Sequence, residues 1–173
     1  MDEYGEYFRI ATTKGDVWNP ENPSKNNLYV LDMNLTIVGR LEGLAPTETI
    51  YSARFMGDRC YLVTFRQVDP FFAIDLQNPY EPKLLGQLKI PGYSSYLHPY
   101  DENHIIGIGM DEGKVKISLF DVSNISDLKE KRFTIGNWSS SPALDDHKAL
   151  LFDKSKDLLV IPIAEYQDFW QGA

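Results

Sequence analysis

The sequence predicts an all-β protein, and three observations lead to that prediction. Short runs rich in Val, Ile, Leu, Phe, Tyr and Thr alternate with clusters of Gly, Asp, Asn and Pro, which is typical of antiparallel hairpins. The pattern returns at a period of roughly 40 to 50 residues, as the blades of a β-propeller do. The chain has 173 residues, of which 43% are hydrophobic, enough to bury a sizeable core. We therefore predict a β-propeller fragment of about three to four four-stranded antiparallel blades, with the end blades incomplete.

The stretch 50–90 predicts one complete blade and is the template for the others. It contains four apolar runs, separated by residues that favour turns. The runs are YSARF, RCYLVTF, FFAIDL and KLLGQLKI, and the connections are MGD, RQVDP and QNPYEP. Strands of this length with short connections form an up-and-down antiparallel sheet.

Aspartates mark the ends of the predicted third strands. Asp75 and Asp121 each follow an apolar run and lie 46 residues apart, and Asp32 lies 43 residues before Asp75. A carboxylate at a strand end can accept hydrogen bonds from turn amides, so we predict a structural role for all three. In the predicted fourth strands, Gly39 and Gly86 occupy matching positions. These matches set the register of the repeats.

The repeats divide the chain into the blades of one partial propeller domain, residues 1–173. The predicted blades are 7–44 (incomplete), 50–90, 94–135 and 147–173 (incomplete). The first blade has no predicted strand before YFRIATTKG, and the last shows a first strand in KALLFD and a second in DLLVIPI. A closed propeller has about four to eight blades, so we expect the chain to be a portion of a longer protein. The apolar faces and free edges of the end blades predict self-association.

Composition excludes several classes of partner. The net charge is −8 and the pI is about 4.8, and the longest basic run, Lys129–Arg132, lies in a predicted solvated outer strand. Nucleic acid is therefore excluded as a partner. No run of about 18 apolar residues and no signal sequence occurs, so no membrane span is predicted. The single Cys60 forms no intrachain disulfide, and we expect it to be a small buried side chain.

Two loops are candidates for function because long connections often carry binding residues. The first, Gly15–Asn27, is rich in Asn and Pro and contains Trp18, which either contacts a partner or pins its own loop. The second follows Ile135 and brings Asp146 next to His147. A structural alternative is a helical turn in SPALDD, capped by Ser141 and with acids near its start.

Catalytic and cofactor signatures are missing from the sequence. GIGMDEG leads into a hairpin instead of a helix, so it does not predict nucleotide binding. No lipase, zinc-protease or phosphate-loop motif occurs, and the histidines are too scattered to predict a metal site, so we predict no cofactor and no metal. His98 and His147 lie in or beside first strands, which line the channel of a propeller. They either face a common axis or are structural imidazoles.

The candidate binding residues are polar or aromatic side chains in the loops and first strands, and no catalytic residue is assigned. The candidates are Trp18, Arg54, His98, Asp101, Asp146 and His147. A functional site would require the last five of them to converge in one polar pocket. Three N-x-S/T motifs begin at Asn34, Asn124 and Asn137 and would be glycan acceptors in an exported protein.

Long stretches of the sequence resemble a known family. The run 51–109, with EYFRIATT before it and HKALLFD and LLVIP after it, is similar to an uncharacterised family of archaeal and bacterial secreted proteins. These proteins carry a C-terminal β-propeller distantly related to WD repeats. The resemblance implies a larger propeller, an extracellular or cell-surface location, and a further strand beginning in FWQGA, but it supplies no activity.

Two classes of function remain open. The first is a non-catalytic extracellular binding or scaffold module whose loops contact a protein or a glycan. The second is an enzyme or enzyme-associated propeller, hydrolase-like, with a polar site at the central channel. The lack of catalytic signatures favours the first class, and fold alone does not decide between them.

Overall fold

The computed structural model describes residues 1–65 and 69–166, which form three consecutive four-stranded antiparallel sheets followed by shorter strand pairs. This architecture confirms the predicted all-β class and the four-stranded antiparallel sheets. The predicted loop residues Arg66 and Gln67, and the segment 167–173 assigned to the last blade, lie outside the described residues.

The first sheet contains one strand that the sequence analysis did not expect. Its strands are β1 (Asp2–Tyr4), β2 (Tyr7–Lys14), β3 (Lys25–Leu31) and β4 (Ile37–Leu44). We expected no strand before Tyr7, yet β1 pairs with β2 across a turn at Gly5, where φ is +60°. The strand has only three residues and no apolar alternation, so no sequence pattern marks it. The side chain of Asp2 holds it in place through an ion pair with Arg9.

The start of β3 also differs from the sequence-based expectation. The predicted loop extended to Asn27, whereas β3 already begins at Lys25. Asn26 is buried, and its Nδ2 donates to the carbonyl oxygens of Leu44 and Glu48 at 3.2 Å. A buried side-chain amide that hydrogen-bonds the carbonyl groups of a connection between two sheets has a structural role, and the polar composition of the segment does not reveal it.

The second and third sheets have the same up-and-down order. The second sheet consists of β5 (Thr49–Met56), β6 (Arg59–Phe65), β7 (Asp69–Asp75) and β8 (Lys83–Ile90). The third consists of β9 (Tyr93–Pro99), β10 (His104–Asp111), β11 (Lys114–Asp121) and β12 (Lys129–Ile135). A two-residue turn at Gly57, with φ +51°, joins β5 to β6, so a residue able to adopt the left-handed region is needed there.

Two short strand pairs, which we call the fourth unit, follow the third sheet. They are β13 (Ser139–Ser140) with β16 (Ala164–Glu165), and β14 (Leu151–Asp153) with β15 (Leu158–Val160). The hairpin β14–β15 lies in the segments predicted as first and second strands. Ser141 caps a 3₁₀ turn, Pro142–Leu144, as the structural alternative proposed. The acids do not lie near its start, because Asp145 ends that turn and Asp146 caps the next one.

Successive sheets pack face to face, and the central strands bury side chains on both faces. In β6, Cys60 and Leu62 pack against the first sheet, whereas Tyr61 and Val63 pack against the third. This arrangement follows from the two-residue period of a strand. Cys60 is completely buried, as expected, and burial raises the pKa of its thiol.

The first strands of neighbouring sheets lie side by side, and we call this edge the inner rim. β5 packs against β9, and the hydroxyl of Ser52 donates to the carbonyl oxygen of Ser94 at 2.7 Å. The channel-lining position expected for first strands in a propeller corresponds to this edge.

The matching glycines of the fourth strands have a packing role. A Cβ at Gly39 would lie 2.0 Å from the carbonyl oxygen of Pro79, in the turn between β7 and β8. A Cβ at Gly86 would lie 2.6 Å from the carbonyl oxygen of Ile125, in the corresponding turn of the third sheet. Each glycine therefore leaves room for the turn between the third and fourth strands of the next sheet.

The three strand-ending aspartates have the structural role that the sequence predicted. Asp32 accepts hydrogen bonds from the amides of Asn34 and Thr36, both at 2.9 Å. Asp75 accepts from the amide of Gln77 at 2.9 Å. Asp121 accepts from the amide of the second residue after it at 3.0 Å. These side chains form Asx turns and are confirmed as turn-stabilising residues.

Candidate functional site

Side chains from two successive structural units meet at the inner rim. Tyr96 and His98 lie on β9, and His147 lies in the 3₁₀ turn before β14. We call these three residues the inner-rim cluster. The hydroxyl of Tyr96 lies 3.0 Å from Nδ1 of His98, and the Tyr96 ring stacks on the His147 ring with centroids 6.1 Å apart.

The strand geometry explains why Tyr96 and His98 act together. Residues two apart on a strand project to the same face, and here that face is turned towards the fourth unit. The ring of Phe152, on β14, contacts the His98 ring edge-on with centroids 4.9 Å apart. Both side chains of the pair are half-buried, so packing fixes their orientation while part of each remains accessible.

Arg54 lies on β5 opposite Tyr61, on the face of the second sheet that is turned towards the third. Its side chain is half-buried, and within the described part of the chain its Nε is inaccessible and has no hydrogen-bond partner. Burial, and then the nearby charge of Arg54, lower the pKa of His98. Since the ordinary pKa of histidine is about 6.5, the His98 imidazole is neutral at pH 7.

The two predicted carboxylates do not join this cluster. Asp101 accepts hydrogen bonds from the amide of Asn103 at 2.8 Å and from Nδ1 of His104 at 2.9 Å. Partial desolvation raises the pKa of Asp101, but these two hydrogen bonds together with the charges of His104 and Lys154 outweigh it, so the net shift is downward. Asp146 accepts from the amide of Lys148 at 2.9 Å as a helix cap. Of the five residues expected to converge, His98 and His147 both contact Tyr96, Arg54 lies on a different face, and the two acids form local structural bonds.

The two tryptophans lie in the loops that the sequence singled out. Trp18 is 79% exposed, and its backbone amide donates to Asp16 at 2.9 Å. Trp138 is more than half exposed, and its ring covers Gly113 in the β10–β11 hairpin, where an added Cβ would lie 2.4 Å from the indole. Trp138 therefore pins its own insertion to the third sheet, while most of the Trp18 surface faces solvent.

Sequence reasoning missed Tyr96, which links the two histidines of the cluster. A tyrosine two residues before a histidine in a predicted strand is a usable signal, because the strand period places both side chains on one face. The stacking partner His147 is 49 positions farther along the chain than His98, and no local pattern predicts that contact.

The cluster offers hydrogen-bonding and aromatic groups, and no described carboxylate hydrogen-bonds to it. Nor do the described residues include any group of three or more side chains suited to binding a metal ion. General acid–base or nucleophilic chemistry needs a base hydrogen-bonded to a nucleophile or a paired acid.

Two further sequence expectations concern export and membranes. The sequon residues Asn34, Asn124 and Asn137 are all exposed, and their glycosylation stays a prediction. In the ranges 1–65 and 69–166, no helix has the length and apolar character needed to cross a bilayer.

Comparison with known proteins gives matches along nearly the whole chain. A family model described as "Beta propeller domain" matches residues 1–173. An uncharacterized protein of Methanocaldococcus jannaschii is 49% identical over 164 residues, which cover 94% of this chain and 26% of the relative. An uncharacterized protein of Archaeoglobus fulgidus is 47% identical over 165 residues, which cover 95% of this chain and 26% of the relative. The chain thus spans about a quarter of the length of these relatives.

Proposed function

The chain belongs to the beta propeller domain family, and on that premise we propose that it is a non-catalytic binding or scaffold module. One observation carries the proposal: Tyr96 and His98 of the third sheet and His147 of the fourth unit meet at the inner rim as partly accessible hydrogen-bonding and aromatic side chains. The acids named with them, Asp101 and Asp146, are bonded to their own turns. A surface built in this way recognises a ligand through fixed hydrogen bonds and aromatic contacts.

The alternative is an enzyme or enzyme-associated propeller that uses the same rim. His98 is the residue that favours it, because its lowered pKa leaves a neutral imidazole able to accept a proton. Its Nδ1, however, contacts the Tyr96 hydroxyl, and a phenol is a poor nucleophile at neutral pH because its ordinary pKa is about 10. The binding module is therefore the preferred function.

The ligand classes that we propose are proteins and glycans, outside the cell. Exposed aromatic side chains such as Trp18 support this proposal, since aromatic rings provide large contact areas at low entropic cost. The extracellular setting and the distant relation to WD repeats rest on the family resemblance and belong to the same proposal.

Binding and turnover can be separated by one pair of measurements on the 173-residue chain. We expect retention of at least one glycan or peptide on an array, and no hydrolysis of chromogenic ester, glycoside or phosphate-ester substrates. Turnover that disappears in His98→Ala but persists in His104→Ala would replace the binding module by the enzyme. Absence of both retention and turnover would contradict both functions.

Self-association through the incomplete end blades is a second proposal, favoured by an apolar groove between the third sheet and the fourth unit. The groove has a volume of about 460 Å³ and is lined in part by Leu119, Phe133 and Leu159. Phe133 is 67% exposed, and an exposed apolar patch of this kind favours association. We expect sizing chromatography with light scattering to give a dimer that Phe133→Glu converts to a monomer, whereas Trp18→Glu does not. A monomeric wild-type chain at high concentration would contradict it.

A further inference from the structure

The Asn- and Pro-rich stretch Gly15–Asn27, which the sequence singled out, forms one wall of a polar pocket on the first sheet. The pocket has a volume of about 380 Å³. Side chains from this stretch and from β2, β3 and β4 line it: Lys14, Asn22, Lys25, Asn27, Tyr29 and Glu42. None of them belongs to the inner-rim cluster, so the first sheet carries a second concave and polar site.

The pocket lies on the face of the first sheet that does not meet the second sheet. On β3, Leu28 and Val30 pack against the second sheet. The two-residue period of a strand turns Lys25, Asn27 and Tyr29 to the opposite face. The polar side chains of the pocket therefore do not take part in the packing between these two sheets.

Backbone hydrogen bonds hold the loop wall of the pocket. The amide of Asp16 donates to the carbonyl oxygen of Asn22, and the amide of Ser24 donates to the carbonyl oxygen of Asp16, both at 3.1 Å. The position of Asn22 is thus set by the loop itself. A ligand that binds here has little loop ordering to impose, which favours affinity.

Two lysines lie side by side in the pocket without an acidic partner. Lys14 and Lys25 are directly opposite in the pairing of β2 with β3, where Cβ atoms are about 4.5–5.5 Å apart and like charges are destabilising. Exposed lysines elsewhere pair with an acid two or three positions away, as Lys83, Lys129 and Lys156 do. Among the described residues, neither Lys14 nor Lys25 forms such an ion pair. An anion between these two ammonium groups would offset their repulsion.

The other polar groups of the pocket suit hydroxyl groups. The backbone amide of Gly43 donates to Oδ1 of the buried Asn27 at 3.1 Å, which orients Nδ2 as a donor. One Nδ2 hydrogen reaches the carbonyl oxygen of Lys25 at 3.5 Å, and an amide group has a second. Glu42 accepts from the Tyr29 hydroxyl at 2.8 Å and has further lone pairs. Its carboxylate repels a simple anion but accepts hydrogen bonds from a ligand that also carries hydroxyl groups.

We propose that this pocket binds a sugar acid, which is a sugar ring that carries a carboxylate. Lys14 and Lys25 contact the carboxylate of the ligand, and Asn27 and Glu42 bind its ring hydroxyls. The assignment rests on the proposed function for its glycan class and adds a site apart from the inner-rim cluster.

The test uses the 173-residue chain labelled with ¹⁵N and follows the side-chain amide signals of Asn27 and the backbone amide signal of Gly43. Sodium D-glucuronate, D-glucose and sodium acetate are titrated separately at constant ionic strength, with sodium chloride as the balancing salt. We expect a saturable shift with glucuronate. The dissociation constant should be at least tenfold larger for glucose, which lacks the carboxylate, and for acetate, which lacks the ring hydroxyls.

Three variants separate the roles of charge and hydroxyl recognition. Lys25→Gln should weaken glucuronate binding by about tenfold, the size of a lost charge-assisted contact, and should stay folded because it removes a like-charge contact. Lys83→Gln removes the same charge from an exposed position on β8 and should leave the dissociation constant unchanged. Glu42→Ala should weaken the binding of glucuronate but not that of acetate.

The inference is overturned if glucuronate gives no saturable shift, or if the variants at positions 25 and 83 weaken binding equally. It is also overturned if glucose or acetate binds as tightly as glucuronate. Equal binding of acetate would assign the pocket to carboxylates in general, including acidic side chains of a peptide. The array and turnover measurements decide separately whether the chain is a binding module, so the two failures are distinguishable.

Discussion

The second and third sheets have the same strand order and the same register between their two central strands, yet they bury their outward-facing residues very differently. In the second sheet, Tyr61, Ala73 and Gly86 lie opposite one another on the face that meets the third sheet, and the first two are fully buried. The corresponding row of opposed residues in the third sheet faces the fourth unit. There, the exposed fraction rises from 6% at Ile106 to 37% at Leu119.

In each row, the residue on the fourth strand shows what this difference means. Gly86 admits the turn of the neighbouring sheet, whereas Lys131 occupies the same position in the third sheet and lies exposed beside the apolar groove. An identical strand pattern therefore gives core or surface according to what lies against it. Whether a strand residue is buried depends on the neighbouring sheet as much as on the sequence of its own strand.

The largest expected effect compares two phenylalanines on the two kinds of face. Phe71 is fully buried and stacks on Phe120 with centroids 4.3 Å apart, so Phe71→Ala should lower the free energy of unfolding by about 4 kcal/mol. Phe133→Ala should change it by less than about 0.5 kcal/mol. Urea unfolding of both variants measures the difference, and equal losses would show that the outward face of the third sheet is buried in solution.

A second comparison uses adjacent residues on opposite faces of β12. Glu130 pairs with the fully buried Lys116 at 3.3 Å and accepts from the hydroxyl of Ser118 at 2.6 Å. Glu130→Ala removes the carboxylate beside the buried Lys116 ammonium, which retains the carbonyl oxygen of Pro91 at 2.6 Å, and should cost about 3 kcal/mol.

Lys131→Ala is the matched control for that variant, because its side chain lies on the open face. It should cost less than about 0.5 kcal/mol in the same urea experiment. A small loss in Glu130→Ala would mean that the remaining contacts of Lys116, including the carbonyl oxygen of Pro91, suffice for its buried charge.

The glycine of the covered row gives a smaller effect. Gly86→Ala places a Cβ 2.6 Å from the carbonyl oxygen of Ile125, so the neighbouring turn must move, at a cost of about 2 kcal/mol. Gln87→Ala, at the exposed next position, should be nearly neutral. Thermal unfolding of both variants checks the expectation, and a neutral Gly86→Ala would show that the second and third sheets can separate at their outer strands.

The smallest effect concerns turn chemistry, which does not depend on neighbouring sheets. The hydroxyl of Ser123, and then its backbone amide, lower the pKa of Asp121. A lowered folded-state pKa contributes stability above the unfolded pKa that is lost as the pH falls through the folded value. Carboxyl NMR titration should show Ser123→Ala raising the pKa of Asp121, while Ser126→Ala leaves it unchanged. An unchanged Asp121 in the first variant would contradict the assignment.

Local patterns were enough to predict the sheets, the strand-ending aspartates and the matching glycines, because these depend on residues close together in the chain. β1 was missed because three residues are too few to show a period, and the buried start of β3 because its asparagines look like loop residues. The candidate site was predicted only in part. The sequence pattern identifies polar residues, but it does not show which of them already form hydrogen bonds within their own turns.

The sequence alone determined where strands form and where they end, since the two-residue period and the turn residues act over a few positions. Only the tertiary structure decided which face of each sheet became core. It also paired Glu130 with Lys116 and brought His147 to Tyr96 and His98. These contacts join residues distant in the chain. Their free energy depends on how neighbouring sheets pack, which no local pattern records.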